Sequence, residues 1–400
     1  VRRLAVAAAA IGAAWFLYYA LTFRSLHVFM AVLDHCPETF CDFVRHYLPM
    51  GRHVFDGRGP VTGFLYSPFF ALLLAPLAKL PDGAALLVWG VLQVLLAVGL
   101  LVVPLARPRR PSLVAACVYV ALFFSAHALL HNFKWGQVSV PLTLGVLAAL
   151  AARQRGHAVA AGVLLAVAAS VKFYPAVFAL VPLLRRDGRM LAAFAATCLI
   201  LLVALPWTLL GWEETIRLYA GVASQLRTDL DRLAADPNSQ SLQGVLGRLG
   251  SRERGVWSAM AAGEELLRWG GLAAVLGGVW VSLRREGDDG TTAFMLLFCA
   301  LPLLTPTSWP HYFVHLPAAF LVLLTELPRR PLARGAVLAL LVAAAALSSI
   351  LCWRVMGSRL AYAYWGMPFW ANTLTMVALL TLLGASRSRS AADVARPAAP

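Results

Sequence analysis

Lysine is nearly missing from this chain. Only Lys79, Lys134 and Lys172 occur in 400 residues, so almost all the positive charge is arginine. Acidic residues are scarce too, 19 against 34 basic ones. No Walker A loop, Gly-rich dinucleotide fingerprint, Cys/His metal cluster or GxSxG elbow is present. These absences exclude the common nucleotide-binding, zinc and serine-hydrolase readings, and neither a metal nor a cofactor is expected. The six cysteines form no zinc pattern. Cys117, Cys198, Cys299 and Cys352 fall in or beside apolar runs, as packing residues do. Cys36 and Cys41 share one polar loop, where a disulfide and two free thiols are both open readings.

What fills the chain instead is hydrocarbon. Hydrophobic residues make up 60% of it, and apolar runs of about 17–25 residues recur from end to end, the length that crosses a bilayer as helix. Backbone polar groups find no partners in lipid, so such runs must be helical. The expected fold class is all-α: a polytopic integral membrane protein with about 10–13 membrane helices, some short, re-entrant or broken. Residues 4–23 are too long and too polar-flanked for a cleaved leader and are read as the first span.

The net charge of +15 does not point to nucleic acid. The arginines cluster between apolar runs, at Arg107–Arg110, Arg153–Arg155, Arg185–Arg189 and Arg329–Arg334, as cytoplasmic anchors do. Spans are expected near 4–23, 84–104, 112–130, 137–152, 190–211, 269–283, 291–306, 312–327, 335–352 and 369–384. Residues 64–80, with Pro68 and Pro76, and residues 158–184, broken at Lys172-Phe173-Tyr174-Pro175, each enter and return. With Arg2 and Arg3 inside, this parity puts every arginine cluster on the cytoplasmic side, including the Arg387/Arg389 tail. The other face then collects the first loop (24–63, with amphipathic helices), the polar 131–137 segment, the Lys172 turn, a long 212–268 loop, residues 307–311 and residues 353–368. Residues 1–384 read as one transmembrane domain, and 385–400 as a disordered cytoplasmic tail.

Within that polar face, Asp42 stands out. It lies in Cys41-Asp42-Phe43-Val44-Arg45-His46-Tyr47 at a membrane boundary. A carboxylate there can take a proton from a hydroxyl; it can equally cap a helix or pair with Arg45 or Arg24. Asp34, Glu38 and Asp56 compete with it in the same loop. Lys172 closes the apolar run 164–171, where an unpaired cation costs roughly 2.5–3.5 kcal/mol at mid-bilayer on insertion scales. It either snorkels or holds an anion such as a lipid phosphate. His311, beside Trp309 and Tyr312, is either part of an interfacial aromatic belt or a donor to phosphate or sugar. The run Asn238-Ser239-Gln240-Ser241, with Arg248 beyond it, suits carbohydrate or phosphate and equally suits a capped helix.

In order along the chain, these segments resemble glycosyltransferase family 87, of the GT-C superfamily. The resemblance rests on Asp42-Phe43 with Tyr47, Gly51 and Phe55; on Phe64-x-Tyr66-x-Pro68, Ala75-Pro76-Leu77 and Leu80-Pro81; and on Gly136-Gln137-Val138. It continues through Lys172-Phe173-Tyr174-Pro175, Asn238–Leu242 with Arg248, and Ser308-Trp309-Pro310-His311-Tyr312. It implies a polyprenyl-phosphate sugar donor, most simply mannose, and a lipid or glycan acceptor hydroxyl. The family includes mannosyltransferases of mycobacterial phosphatidylinositol mannoside and lipoglycan synthesis. It implies inversion with Asp42 as base, at the extracytoplasmic face of the cell membrane. Lys172, His311, Arg45, Arg248, Gln137, Asn238, Gln240, Tyr66 and Trp309 are then candidates for binding donor phosphate or sugar. Ser139 and His46 depart from the family pattern, which commonly shows Asn and Tyr there. The rival class is transport, as a lipid-linked sugar flippase or a small-molecule carrier.

Overall fold

The computed structural model describes residues 2–23, 36, 38–107, 109–252, 256–285 and 289–385. Asp34, Arg24 and the tail beyond 385, all raised by the sequence, lie outside these residues. The described chain is helical, with no strand among the described residues. In chain order the helices are α1 (Arg2–Phe23), α2 (Leu48–His53), α3 (Pro68–Ala78), α4 (Asp82–Leu105), α5 (Leu113–Ser125), α6 (His127–Trp135), α7 (Ser139–Gln154) and α8 (Ala158–Val171). There follow α9 (Tyr174–Leu184, opening as 3-10 helix) and α10 (Gly188–Leu210, π-helical over Ile200–Ala204). The remainder are α11 (Trp212–Ala235), α12 (Leu242–Arg252), α13 (Val256–Ala262), α14 (Glu264–Leu283), α15 (Thr291–Leu304), α16 (Leu316–Glu326), α17 (Arg334–Ser348), α18 (Ile350–Val355), α19 (Arg359–Tyr364) and α20 (Met367–Gly384).

Among the described residues, six helical segments are long and apolar enough to cross a membrane, and six more apolar helices are shorter. On α4, Leu87, Val91, Leu95, Val98 and Val102 all face outward. An outward apolar face of that length has lipid as its solvent, not water. The chain is a multi-pass membrane protein. Helix α3 has 11 residues and is roughly 16 Å long, about half the hydrocarbon core. The segment 158–184 is indeed broken: α8 stops at Val171, Lys172 is extended, and 3-10 helix resumes at Tyr174.

One expectation needs correction. Spans 112–130 and 335–352 are not continuous. Ala126 and Ser349 leave helical geometry and pair with each other in an isolated antiparallel bridge. Each break frees backbone groups that lipid cannot satisfy, and each supplies the other's partner. The polar 131–137 segment lies in the interior. His131, Asn132, Lys134 and Gln137 are buried, and α6 covers most of the stretch. The long 212–268 loop contains α11, α12, α13 and the start of α14. Thr215, Leu218 and Val222 recur at helical spacing and are buried, a stripe too narrow to stand out in so polar a sequence.

The helices form two compact units. One comprises Phe16–Pro108 and Ala128–Asp236. In it α8 packs between α7 and α10, α4 packs on α7, and α2 on α3. Its core gathers Phe43, Tyr47, Phe64, Tyr66, Phe70 and Trp89 beside aliphatic side chains. The other comprises Val1–Trp15, Arg109–His127 and Pro237–Pro400, with α17 and α15 against α20, α14 against α15, and α12 against α13.

Candidate active site

The first loop is tied down before it reaches Asp42. Cys36 and Cys41 are joined by a disulfide. The ammonium of Lys134, fully buried, donates to the carbonyls of Cys36 at 2.6 Å and Glu38 at 3.0 Å. Buried cations persist only with such partners. Arg45 grips both oxygens of Glu38, at 3.0 and 2.8 Å. That guanidinium, more than any other cause, holds the Glu38 carboxyl below the usual carboxylate range. Cys36, Glu38 and Cys41 bring possible metal ligands together, but the disulfide occupies both sulfurs and Arg45 engages the carboxylate.

Asp42 opens a π-helical turn, Phe43–Tyr47, without capping it through its side chain. Its carboxylate instead accepts from the Gln137 side-chain amide. His46, one turn on, places Nε2 3.9 Å from the other oxygen. Of the rival carboxylates, Glu38 faces Arg45 and Asp56 accepts from His53 at 2.8 Å.

Gln137 is the hub. Its amide oxygen accepts from the hydroxyls of Tyr47 and Tyr66, each at 3.0 Å, and those hydroxyls lie 2.5 Å apart. An amide that accepts at one end and donates at the other can only lie one way round. Its own carbonyl accepts from Gln93 on α4 at 2.8 Å; Gln93 accepts from Asn132 at 3.1 Å; Asn132 accepts from the Val140 N–H at 3.2 Å. This chain of buried amides locks the start of α7. Gly136 precedes it at φ +64, where a Cβ would lie 2.7 Å from Phe40 Cβ, so only glycine turns the chain here. Its carbonyl accepts from Trp89 at 3.1 Å, and Phe43 stacks on Trp89 at 4.7 Å.

Lys172, at the break after α8, sets its ammonium 4.8 Å above the Tyr66 ring, within cation–π range. Ser67, next to Tyr66, donates to the Ser170 carbonyl and binds the two segments together. The structure thus brings Asp42, Gln137, Tyr66 and Lys172 into one cluster. Arg45 lies at its edge, engaged by Glu38. Tyr47, Gln93, Asn132 and Lys134 belong to the same network and escaped the sequence reading. Tyr47 stood in the quoted motif and Lys134 in the polar 131–137 segment, without a role assigned to either.

The remaining candidates belong to the other unit. The Gln240 N–H donates to the Ser308 carbonyl at 2.5 Å. Gln240 and Arg248 both donate to the Ala363 carbonyl, at 2.9 and 3.3 Å. Ser241 caps the first turn of α12 by accepting from Gly244 N–H at 3.1 Å. His311 is buried beside Tyr312, while Trp309 and Asn238 are half-buried. Here the polar run does bracing: it joins α12, α19 and the 308–311 segment.

The sequence model of glycosyltransferase family 87 matches residues 64–306, more than half the chain. The chain belongs to glycosyltransferase family 87. Gln137, Tyr66 and Lys172 fall inside the matched stretch; Asp42, Arg45 and His46 precede it. Among curated proteins, this family member is 28% identical over 280 residues to a polyprenol-phosphate-mannose-dependent alpha-(1-2)-phosphatidylinositol mannoside mannosyltransferase of Mycobacterium tuberculosis, covering 65% of this chain and 61% of that one. It is 29% identical over 269 residues to a polyprenol-phosphate-mannose-dependent alpha-(1-2)-phosphatidylinositol pentamannoside mannosyltransferase of Mycolicibacterium smegmatis, covering 63% and 59%. The match thus spans about three-fifths of these relatives' length. No solved structure matches the chain.

Proposed function

We propose that this protein transfers a mannosyl group from a polyprenyl-phosphate donor to a hydroxyl of a lipid or glycan acceptor, with inversion. The observation that carries the reading is the Asp42 carboxylate, partly exposed and oriented by the buried Gln137 amide. The relatives' dependence on polyprenol-phosphate mannose supports the donor class.

In this reading Asp42 takes the proton of the acceptor hydroxyl as its oxygen attacks the anomeric carbon. The bond from that carbon to the phosphate oxygen breaks on the opposite face, and the electron pair leaves with polyprenyl phosphate as a dianion. Charge growing on the phosphate calls for a fixed cation. Lys172 fits that task, since Tyr66 holds its ammonium within the same cluster. Arg45, tied to Glu38, orders the loop in this scheme. Gln240, Arg248, Asn238, Trp309 and His311 belong to the other unit and are given no contact in this scheme. A disulfide beside Asp42 supports an oxidising, extracytoplasmic setting for the chemistry, at the cell membrane.

The test is purified protein in sealed proteoliposomes with radiolabelled polyprenyl-phosphate mannose and phosphatidylinositol mannosides. Labelled glycolipid from the wild type, and none from Asp42→Asn at unchanged donor binding, is the expected result. Normal turnover by Asp42→Asn defeats the assignment. Donor crossing the bilayer without transfer would make the protein a flippase.

A further inference from the structure

We infer that His46 takes the proton onward from Asp42 and delivers it to water, restoring the base. This rests on the reading of Asp42 as base. His46 acts through Asp42 and touches no substrate atom, so it is a positioning residue for the reaction.

Both ring nitrogens have defined tasks. Nδ1 lies 2.8 Å from the Thr62 carbonyl. A carbonyl only accepts, so Nδ1 carries the hydrogen, and in the neutral ring Nε2 bears the lone pair. That lone pair is on the nitrogen facing Asp42 Oδ1, 3.9 Å away, a gap that one bridging water or a small rotation spans. Oδ2 accepts from Gln137, and Oδ1 is the oxygen that lies toward His46 Nε2.

The ring is seated rather than loosely placed. Gly63 lies against it, and a Cβ there would come within 2.5 Å of His46 Cε1. Gly63 in turn donates its N–H to Gln225 of α11 at 2.8 Å, while Gln225 donates to the Pro60 and Val61 carbonyls. The loop that presents the Thr62 carbonyl is therefore clamped to a long helix. Among the described residues, Asp42 and Arg45 from its own turn are the charged groups beside His46; the loop offers a carbonyl and a glycine, and α11 a neutral amide. Burial first, and the Arg45 charge with it, push the imidazole below its ordinary 6.5 against the opposing Thr62 bond. At neutral pH it is uncharged and can accept.

The steps balance. The acceptor O–H proton goes to Asp42 Oδ1; the Oδ1–H proton then goes to His46 Nε2, giving carboxylate and imidazolium. The imidazolium, on a side chain 28% exposed, loses a proton to water and returns to neutral.

The experiment is the pH profile of kcat for wild type, Asp42→Asn, His46→Gln and His46→Asn, with melting temperature and donor binding alongside. The glutamine and asparagine amides can still donate to Thr62 but cannot accept a proton. The expected result is a plateau reduced by about 10- to 100-fold in both His46 variants, an acidic limb displaced to lower pH, and rate restored by added imidazole. Imidazole should not restore Asp42→Asn. A folded His46 variant with wild-type plateau and limb overturns the relay while leaving the base reading intact; turnover by Asp42→Asn overturns the base reading itself. The wild type supplies a readout that needs no variant. The pKa of its acidic limb should shift with temperature as an imidazole's does, and a limb as insensitive as a carboxylate's overturns the proposal.

Discussion

Gln137 donates its side-chain amide to the carboxylate of Asp42 across 95 residues of sequence. The bond is directional because Tyr47 and Tyr66 fix the other end of the amide. Gln137→Glu should place a second carboxylate against the first, and one of them must then hold a proton. Transfer should fall by about 100-fold, the cost typical of a reacting group displaced by an ångström. Gln137→Met should lower stability by about 1–3 kcal/mol by stranding buried hydroxyls. Initial rates and thermal melts of the two variants separate these effects; a fully active Gln137→Glu would remove Gln137 from the site.

The Cys36–Cys41 bridge closes a short loop immediately before Asp42. Chain entropy assigns such a loop about 2 kcal/mol. Cys36→Ser/Cys41→Ser, or reductant applied to the wild type, should lower both the melting temperature and the transfer rate. Alkylation of two additional thiols after reduction would verify the bridge. Equal rates with and without reductant would show that Lys134 alone orders the loop.

Long apolar runs were legible because lipid permits only helix, and most helix ends fall within a few residues of the sequence reading. What escaped it were breaks repaired in space. Ala126 and Ser349 look like any other residue in an apolar run; only their pairing across 223 residues makes both interruptions tolerable. Asp42 was visible as a carboxylate at a membrane boundary, but whether it capped a helix depended on Gln137, far along the chain. Gln93 and Asn132 carried no signal at all. A buried amide relay has no local pattern, since each member is defined by its partner. For Arg248 and Gln240 the residue types suit a ligand and a backbone carbonyl alike, and in the structure both donate to the Ala363 carbonyl.

The two lysines should behave differently. Lys134 is fully buried on two carbonyls. Lys134→Met should lower the melting temperature, since the carbonyls lose a charged donor worth about 1.5–3 kcal/mol. Lys172 is half-buried over an aromatic face. Lys172→Met should leave the melt nearly unchanged but weaken donor binding by about 10-fold or more, as loss of a desolvated charge partner does; Lys172→Arg should recover part of it. Isothermal titration with polyprenyl phosphate measures the difference, and unaltered donor affinity in Lys172→Met would leave the phosphate without its proposed cation.

Gly63 couples backbone strain to pH. It sits at φ +83, so Gly63→Ala should cost about 1–2 kcal/mol for the left-handed geometry alone, plus displacement of the His46 ring. The folded state lowers the His46 pKa, meaning that it binds this proton less tightly than the unfolded chain. That contribution to stability is complete above the unfolded value of 6.5 and is lost as pH falls through the folded one. In wild type, stability should therefore decline as pH drops below 6.5, with part of the slope belonging to His46. His46→Gln should flatten that part, and Gly63→Ala, by loosening the ring into water, should do the same. Melting temperatures measured from pH 8 to about pH 5 report the slopes; identical slopes in all three proteins would mean that the imidazole is not held in its buried seat.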